Sequence, residues 1–255
     1  MDEVEAVPAD RARRHVLNEE FGRTAGAFAE RTQGRFDHMD VVGFAGPDPG
    51  AHVLEVGAGT GNFLALFAER AGRLVAVDIT LGMLAEGRRR HPEVDPVVAD
   101  GAFLPFAAAT FDLVTTAQTL HHVVEPVPFL REMRRVVKPR GRVLIVDQVA
   151  PESYEQAVFM NELERLRDPS HAASRPASAM RIAVQAAGLQ IDDERIVSDQ
   201  SRISKWMWAK EFPAERIEVV REFIERFGHE TGMEWAKDGE DYTFTRRRMM
   251  ILASR

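Results

Sequence analysis

Apolar positions repeat at a helical period near both ends of this chain and gather into short blocks through its middle. Over residues 15–32, Phe21, Ala25, Phe28 and Ala29 recur at helical spacing. A short helix is expected around 38–44, ahead of the turn signals Gly46-Pro47 and Pro49-Gly50. The next hundred residues alternate strand and helix. Strands are expected over 53–56, 74–77, 95–99, 111–116 and 142–149. Helices are expected over 63–70, from the cap Thr80 to the arginines at 88–90, and over 127–137. Lys138-Pro139-Arg140-Gly141 breaks the last of these. The strands are apolar throughout, as expected when helices cover both faces of a sheet. Strands separated by helices imply right-handed crossovers and a parallel, doubly wound sheet.

The rhythm changes after Ala150. Residues 154–167 read as an amphipathic helix with Val158, Phe159, Leu163 and Leu166 as apolar positions. Residues 177–187 read as another, closed by Gly188, and 189–197 as a strand. Helical stretches over 203–210 and 214–227 follow, then a final strand over 242–253. Three parts are expected: an N-terminal helical flap (1–50), a ligand-binding core (51–150), and the rest of the core with a split helical cap (151–255).

Composition narrows the classes. A hydrophobic share of 45% suits a globular core, and a net charge of −7 argues against a dedicated nucleic-acid binder. Without cysteine there is no disulfide, thiolate metal site or cysteine nucleophile. No apolar run reaches the roughly 18 residues of a membrane span. The charged stretch 1–14 is expected to be frayed at its start and lacks the apolar segment of a signal peptide. A cytoplasmic monomer or homodimer is the expectation.

The chemistry begins at Val53-Leu-Glu-Val-Gly-Ala-Gly-Thr-Gly-Asn-Phe63, a strand running into a glycine loop. Glycine lets the backbone turn sharply and lets a ligand approach it closely. A dinucleotide site would place a pyrophosphate on this loop, in a pattern written G-x-G-x-x-G. Here the third glycine comes one residue early, and Glu55 stands two residues before the first. A carboxylate there repels phosphate and attracts a cation. S-adenosyl-L-methionine carries both an ammonium and a sulfonium. Asp78, twenty-one residues after Gly57, ends the second strand where an acid can accept ribose hydroxyls. Asp100, after the third strand, can accept an adenine amino group.

These segments together resemble the motifs of class I S-adenosylmethionine-dependent methyltransferases. The similarity runs through Glu55–Gly61, Asp78, Asp100-Gly-Ala-Phe-Leu-Pro-Phe106, Phe111-Asp-Leu-Val114, Leu120-His-His-Val123 and residues 130–143. It covers about residues 20–150, in order. The nearest subgroup is the methyltransferase type 11 group, which includes ubiquinone and menaquinone methyltransferases. The resemblance implies a Rossmann-like α/β fold, with a seven-stranded, mostly parallel sheet, helices on both faces and a helical cap. It also implies that Gly57, Ala58, Gly59 and Gly61 approach the methionine part of the cofactor. Asp78, Ile79 and Met83 would meet its ribose and adenine side, Asp100 and Gly101 its adenine, and Gln118 would lie under the sulfonium. Phe21–Phe28 resembles the family's N-terminal helix, with Phe28 where members often carry tyrosine.

Acceptor chemistry has two candidate groups. His121 and His122 follow the fourth strand, and either could act as a general base or simply pack. Asn161-Glu-Leu-Glu-Arg-Leu-Arg-Asp-Pro-Ser-His171 places Glu164, Arg167 and His171 at helical spacing, with Asp168 at the helix end. Asp168 or His171 could deprotonate or orient a hydroxyl while Arg167 binds an anion, or the cluster could be a solvated helix face. Trp206, Trp208 and Phe212 either wall a pocket or pack the cap. Strand alternation makes Arg246–Arg248 an exposed strand end rather than an anion site. No clustered metal ligands are present, so no metal is expected. The leading reading is methyl transfer to an oxygen, carbon or nitrogen of a small molecule. The rivals are a cofactor binder that transfers nothing, such as a cyclase or regulator, and an NAD-dependent oxidoreductase.

Overall fold

The structure, a computed structural model, describes residues 21–255. The expected helix over 15–32 is described from 21 to 32 and labelled α1; its first residues, and the expected frayed stretch, lie outside the described residues. A short 3-10 turn, Asp37–Met39, and α2 (Val41–Ala45) stand where one helix was expected. Asp40 between them adopts a left-handed φ of 45°, which splits the segment.

The sheet follows the order β3-β2-β1-β4-β5-β9-β7. Its members are β1 (Ala51–Val56), β2 (Ala71–Asp78), β3 (Val94–Val98), β4 (Phe111–Ala117), β5 (Val137–Ala150), β7 (Gln190–Arg202) and β9 (Asp241–Ser254). Two small strands sit off this path: β6 (Arg175–Pro176) on β5 and β8 (Ala236–Asp238) on β9. Pairings from β3 to β5 are parallel, whereas β9 runs antiparallel to both β5 and β7. The reversal has a functional consequence. It brings the N-terminal half of β9 to the carboxyl ends of β4 and β5, the end where open parallel sheets bind ligands.

Two local readings change. The segment after the glycine loop makes a 3-10 turn, Leu64–Phe67, rather than an α-helix over 63–70. The chain must re-enter the sheet at Ala71, and i→i+3 bonds from Leu66 to Phe63 and from Ala68 to Ala65 make the tighter return. The break at 138–141 becomes a bulge inside β5: Phe111 faces Val137, and Leu113 already faces Arg142.

The central strands are buried on both faces, while the edge strand β7 is exposed or half-buried along its length, and strand alternation feeds two cores. Val143, Ile145 and Ile251 pack with Phe129, Leu130 and Met133 of α4 (Pro126–Val136) and Met180 and Val184 of α6 (Ala177–Ala186). Leu144, Val146 and Met250 pack on the other side with Phe36, Phe44, Phe67 and Leu84 of α3 (Leu81–Arg90). A third cluster forms the cap, from α5 (Tyr154–Arg167), α7 (Ile203–Trp206), α8 (Ala214–Phe227) and β9. Trp206 is 2% exposed there and contacts Phe244, so it packs the cap. Among the described residues, no helix is long and apolar enough to cross a membrane.

Candidate active site

One cavity of about 760 Å³ opens at the carboxyl ends of β1, β2 and β4, under α1 and the cap. It lies toward the upper end of the roughly 300–1,000 Å³ usual for small-molecule sites. Glu55, Gly57, Ala58, Gly59, Asp78, Ile79, Met83, Asp100, Gly101 and Gln118 all line it. Gly61 does not; it faces His91 and closes the loop through its N–H to the Ala58 carbonyl at 2.9 Å.

Two glycines are required by geometry. Gly57 has φ +75°, and a Cβ there would lie 2.3 Å from Thr119 Cγ2. A Cβ on Gly101 would lie 2.2 Å from Phe129 Cε2. Gln118 is not a glycine, yet it holds φ +54° just beyond β4, a strain of about 1–3 kcal/mol of the kind found at functional sites.

The cofactor end of the cavity is acidic. Asp78 accepts N–H bonds from Gly59 and Thr80, both at 2.8 Å. Burial nonetheless raises its pKa, with those bonds opposing. Asp100 accepts from the N–H of Ala102 at 2.9 Å. Glu55 is 1% exposed, and its Oε2 has no hydrogen-bond partner among the described residues. Burial pushes its carboxyl well above the usual range, an N–H from Leu64 opposes, and Asp78 adds to the rise. An unpaired buried carboxylate is costly unless a cation meets it. Gln118 Nε2 is likewise buried and unpartnered. Ionised beside a cation, Glu55 fits the ammonium of S-adenosylmethionine and would repel a pyrophosphate, while the Gln118 amide N–H groups can donate to an oxygen of a bound ligand.

A histidine cluster stands over the cavity on the 3-10 turn Leu120–His122. His121 donates from Nδ1 to Asp147 Oδ1 at 2.6 Å, and Asp147 Oδ2 accepts the Thr119 N–H at 3.1 Å. Burial works to raise Asp147, but His121 outweighs it and the carboxyl is held low. His122 Nδ1 lies 3.3 Å from the Ser170 carbonyl oxygen, which can only accept, so Nδ1 carries the proton. Ser170 Oγ, 3.0 Å from the same nitrogen, donates to Asp168 Oδ1 at 2.5 Å. His122 Nε2 is then the basic nitrogen, 4.0 Å from Asp168 Oδ2. Burial, with His121 beside it, lowers His122 to about 4. Burial works to raise Asp168, but His122, Arg167 and Ser170 outweigh it and hold it at about 2.

The cap cluster divides on contact with the structure. Arg167 and Asp168 line the cavity, and His171 does not. His171 lies beyond the end of α5, 1% exposed, and its Nε2 donates to Asn161 Oδ1 at 2.8 Å. Asn161 Nδ2 in turn donates to the Ala157 and Ser174 carbonyls. His171 therefore buckles the 168–174 segment to α5. The expectation that it joins Glu164 and Arg167 on one helix face is corrected, because α5 stops at Arg167 and the chain turns inward. Burial, then His121 and His122, lower His171 to about 2.

Arg246 and Arg248 also correct the expected exposed strand end. Alternation holds, since Arg247 turns away to Glu234. Arg246 lines the cavity, and Arg248 is 1% exposed and paired with Asp199. Phe212 lines the cavity, while Trp208 sits under Lys210. Sequence reasoning missed Asp147, whose signal was a lone acid in the apolar run Leu144-Ile-Val-Asp-Gln-Val149. It held Ser170 within the segment Asn161–His171 without giving it a role, and it missed Arg31 and Arg35, which carry no local pattern.

Comparisons with known proteins agree with this geometry. Residues 54–145 match the family described as "Methyltransferase domain". The chain is 43% identical over 107 residues to a demethylmenaquinone methyltransferase of Renibacterium salmoninarum, covering 42% of this chain and 45% of that protein. It thus spans less than half the length of that relative. It is 31% identical to the uncharacterized methyltransferase YcgJ of Bacillus subtilis, covering 66% of this chain and 68% of that one. The solved structure of YcgJ superposes with a TM-score of 0.74 at 25% identity, over 84% of this chain and 95% of that chain. The chain belongs to the class I S-adenosylmethionine-dependent methyltransferases.

Proposed function

We propose that this protein methylates a small-molecule acceptor, with His122 as the proton acceptor when the nucleophile is a hydroxyl or an acidic carbon. The buried Glu55 carboxyl, whose Oε2 has no partner among the described residues, set in one cavity with Asp78 and Asp100, carries the cofactor part of this reading. Bound S-adenosylmethionine supplies the methyl group and the sulfonium leaving group. Glu55 holds the ammonium, Asp78 the ribose hydroxyls, and Asp100 with the Gly101 backbone the adenine. Gln118, fixed in a left-handed conformation, borders the sulfur side.

The chain's own work is then positioning and proton removal. Enclosure beneath α1 and the cap excludes water from the cavity, and orientation supplies most of the rate. His122 Nε2 accepts the acceptor's proton. Asp168, ionised at neutral pH, stabilises the resulting imidazolium, and Ser170 keeps the opposite ring nitrogen protonated. His121 is tied to Asp147 and holds the turn that carries His122. Residues 1–50 act as the flap, 51–150 as the cofactor core and 151–255 as the substrate cap. No nucleic acid, metal or membrane anchor enters this reading, which places a monomer or homodimer in the cytoplasm.

Titration of the purified protein with S-adenosylmethionine, S-adenosylhomocysteine and NAD tests the cofactor assignment. Binding of the first two without NAD is expected, and tight binding of NAD alone would sink the reading. A screen of small hydroxylated, amino and carboxylated metabolites with methyl-labelled cofactor tests the transfer itself.

A further inference from the structure

The cavity has a second end of opposite charge. Arg31, Arg35, Arg167, Arg216 and Arg246 all line it, drawn from α1, the following turn, α5, α8 and β9. Three carboxylates stand among or beside them, Glu211, Asp168 and Glu164. Glu211 is bound by Arg31 at 2.5 and 2.9 Å, and Asp168 is engaged by Ser170. The Arg35 side chain has no hydrogen-bonded or ion-paired partner among the described residues, whereas Arg246 makes no side-chain hydrogen bond there but lies in the field of Glu164 and Asp199. Arg167 reaches Glu164 only at 3.5 Å, and its Nε is buried with no partner.

These guanidiniums also repel one another. Burial lowers Arg35 well below its ordinary value, and Arg31, Arg246, Arg248 and Arg167 add to the effect. Burial, then Arg248 and Arg167, bring Arg246 down to about 9 against the opposing pull of Glu164 and Asp199, which leaves it charged at neutral pH. Half-buried guanidiniums clustered on a cavity wall are favoured by an anion that meets them. The planar guanidinium fork matches carboxylate and phosphate oxygens two at a time.

Aromatic rings flank the same wall. Arg31 and Arg35 lie 5.4 and 5.8 Å from the Phe28 ring centroid, and Arg167 lies 5.2 Å from that of Phe212. The cofactor's single carboxylate can satisfy one arginine or two, and it leaves a surplus. Arg167 precedes Asp168 directly, so part of the surplus adjoins the His122–Asp168 pair.

We propose that Arg167, Arg246 and Arg35 form an anion-recognition wall for the methyl acceptor, which is therefore an apolar or aromatic small molecule bearing a carboxylate or phosphate. The proposal deepens the methyl-transfer reading and rests on it.

Calorimetric titration of the S-adenosylhomocysteine-loaded protein with benzoate, phenyl phosphate and neutral benzamide tests it. One of the two anions is expected to bind at least tenfold more tightly than benzamide, and which one binds identifies the headgroup. Arg246→Gln and Arg167→Gln are each expected to weaken that anion at least tenfold, with Arg246→Lys retaining part of the affinity. Affinity for S-adenosylhomocysteine is expected to change less than threefold in all three. Equal binding of all three probes to the wild-type protein overturns the proposal without recourse to a variant. So does a tenfold loss of S-adenosylhomocysteine affinity with unchanged anion binding, since the wall would then serve the cofactor carboxylate. Failure of S-adenosylhomocysteine to bind the wild-type protein would instead remove the methyl-transfer reading. Titration of the unloaded protein with the same anions then judges the wall separately.

Discussion

Ser170 Oγ sits 3.0 Å from His122 Nδ1, and this contact decides which ring nitrogen is free to act. The Ser170 hydroxyl is committed to Asp168, and its carbonyl can only accept, so both hold the proton on Nδ1. A loop following α5 thereby sets the tautomer of a histidine following β4.

Replacing His122 tests that arrangement. His122→Ala is expected to lower kcat about a hundredfold or more for an acceptor that must lose a proton. Affinity for S-adenosylhomocysteine is expected to stay within threefold. A matching loss in both quantities would assign His122 to cofactor binding instead.

The same histidine makes stability depend on pH. Unfolded, an imidazole titrates near 6.5, whereas folded His122 is held at about 4 by burial and by His121. Between those values the unfolded chain binds the extra proton, so stability falls as pH drops through the window and levels off below it. The gap corresponds to at most about 3 kcal/mol. Melting temperatures of wild type and His122→Gln, measured from pH 7 to pH 4, are expected to converge as the pH falls or to cross in the variant's favour. The acidic limb of kcat/KM is expected below pH 5 rather than near 6.5. A limb at the ordinary imidazole value would contradict both the burial and the assignment.

Glu55 trades stability for binding. Its Oε2 is buried without a partner among the described residues, a polar atom whose burial costs stability until a cation or donor meets it. Glu55→Gln is expected to weaken S-adenosylmethionine tenfold or more and to leave the melting point of the ligand-free protein equal or higher. Unchanged cofactor affinity would separate Glu55 from the ammonium.

His171 is expected to behave as a buckle. Removing it leaves Asn161 Oδ1 without its imidazole donor and opens a void beneath the 168–174 segment. His171→Ala is expected to destabilise the fold by about 1–3 kcal/mol. The kcat of the folded fraction is expected to fall far less than in His122→Ala, as thermal unfolding and single-temperature kinetics together would reveal. A hundredfold loss of kcat with full stability would return His171 to the chemistry.

Much of the molecule was legible because its signals are local. The glycine loop, the acids closing successive strands and the apolar blocks each sit within a few residues of the feature they specify, so spacing alone brought out the sheet and the acidic cofactor end. Glu55 was readable for the same reason: its carboxylate is two residues from the first glycine. Contacts that join distant segments were not readable. Asp147 meets His121 across 26 residues, Ser170 meets His122 across 48, and Arg31 meets Glu211 across 180. Arg246 was misread because alternation says which two faces a strand offers and not what lies beyond either. The antiparallel insertion of β9 turned one of those faces into the ligand cavity. Sequence by itself determined the fold and the cofactor class, because those depend on short-range backbone geometry and charge. Only the tertiary structure decided which nitrogen of His122 is held protonated and which arginines line the cavity, because both arise where chain segments far apart in sequence meet.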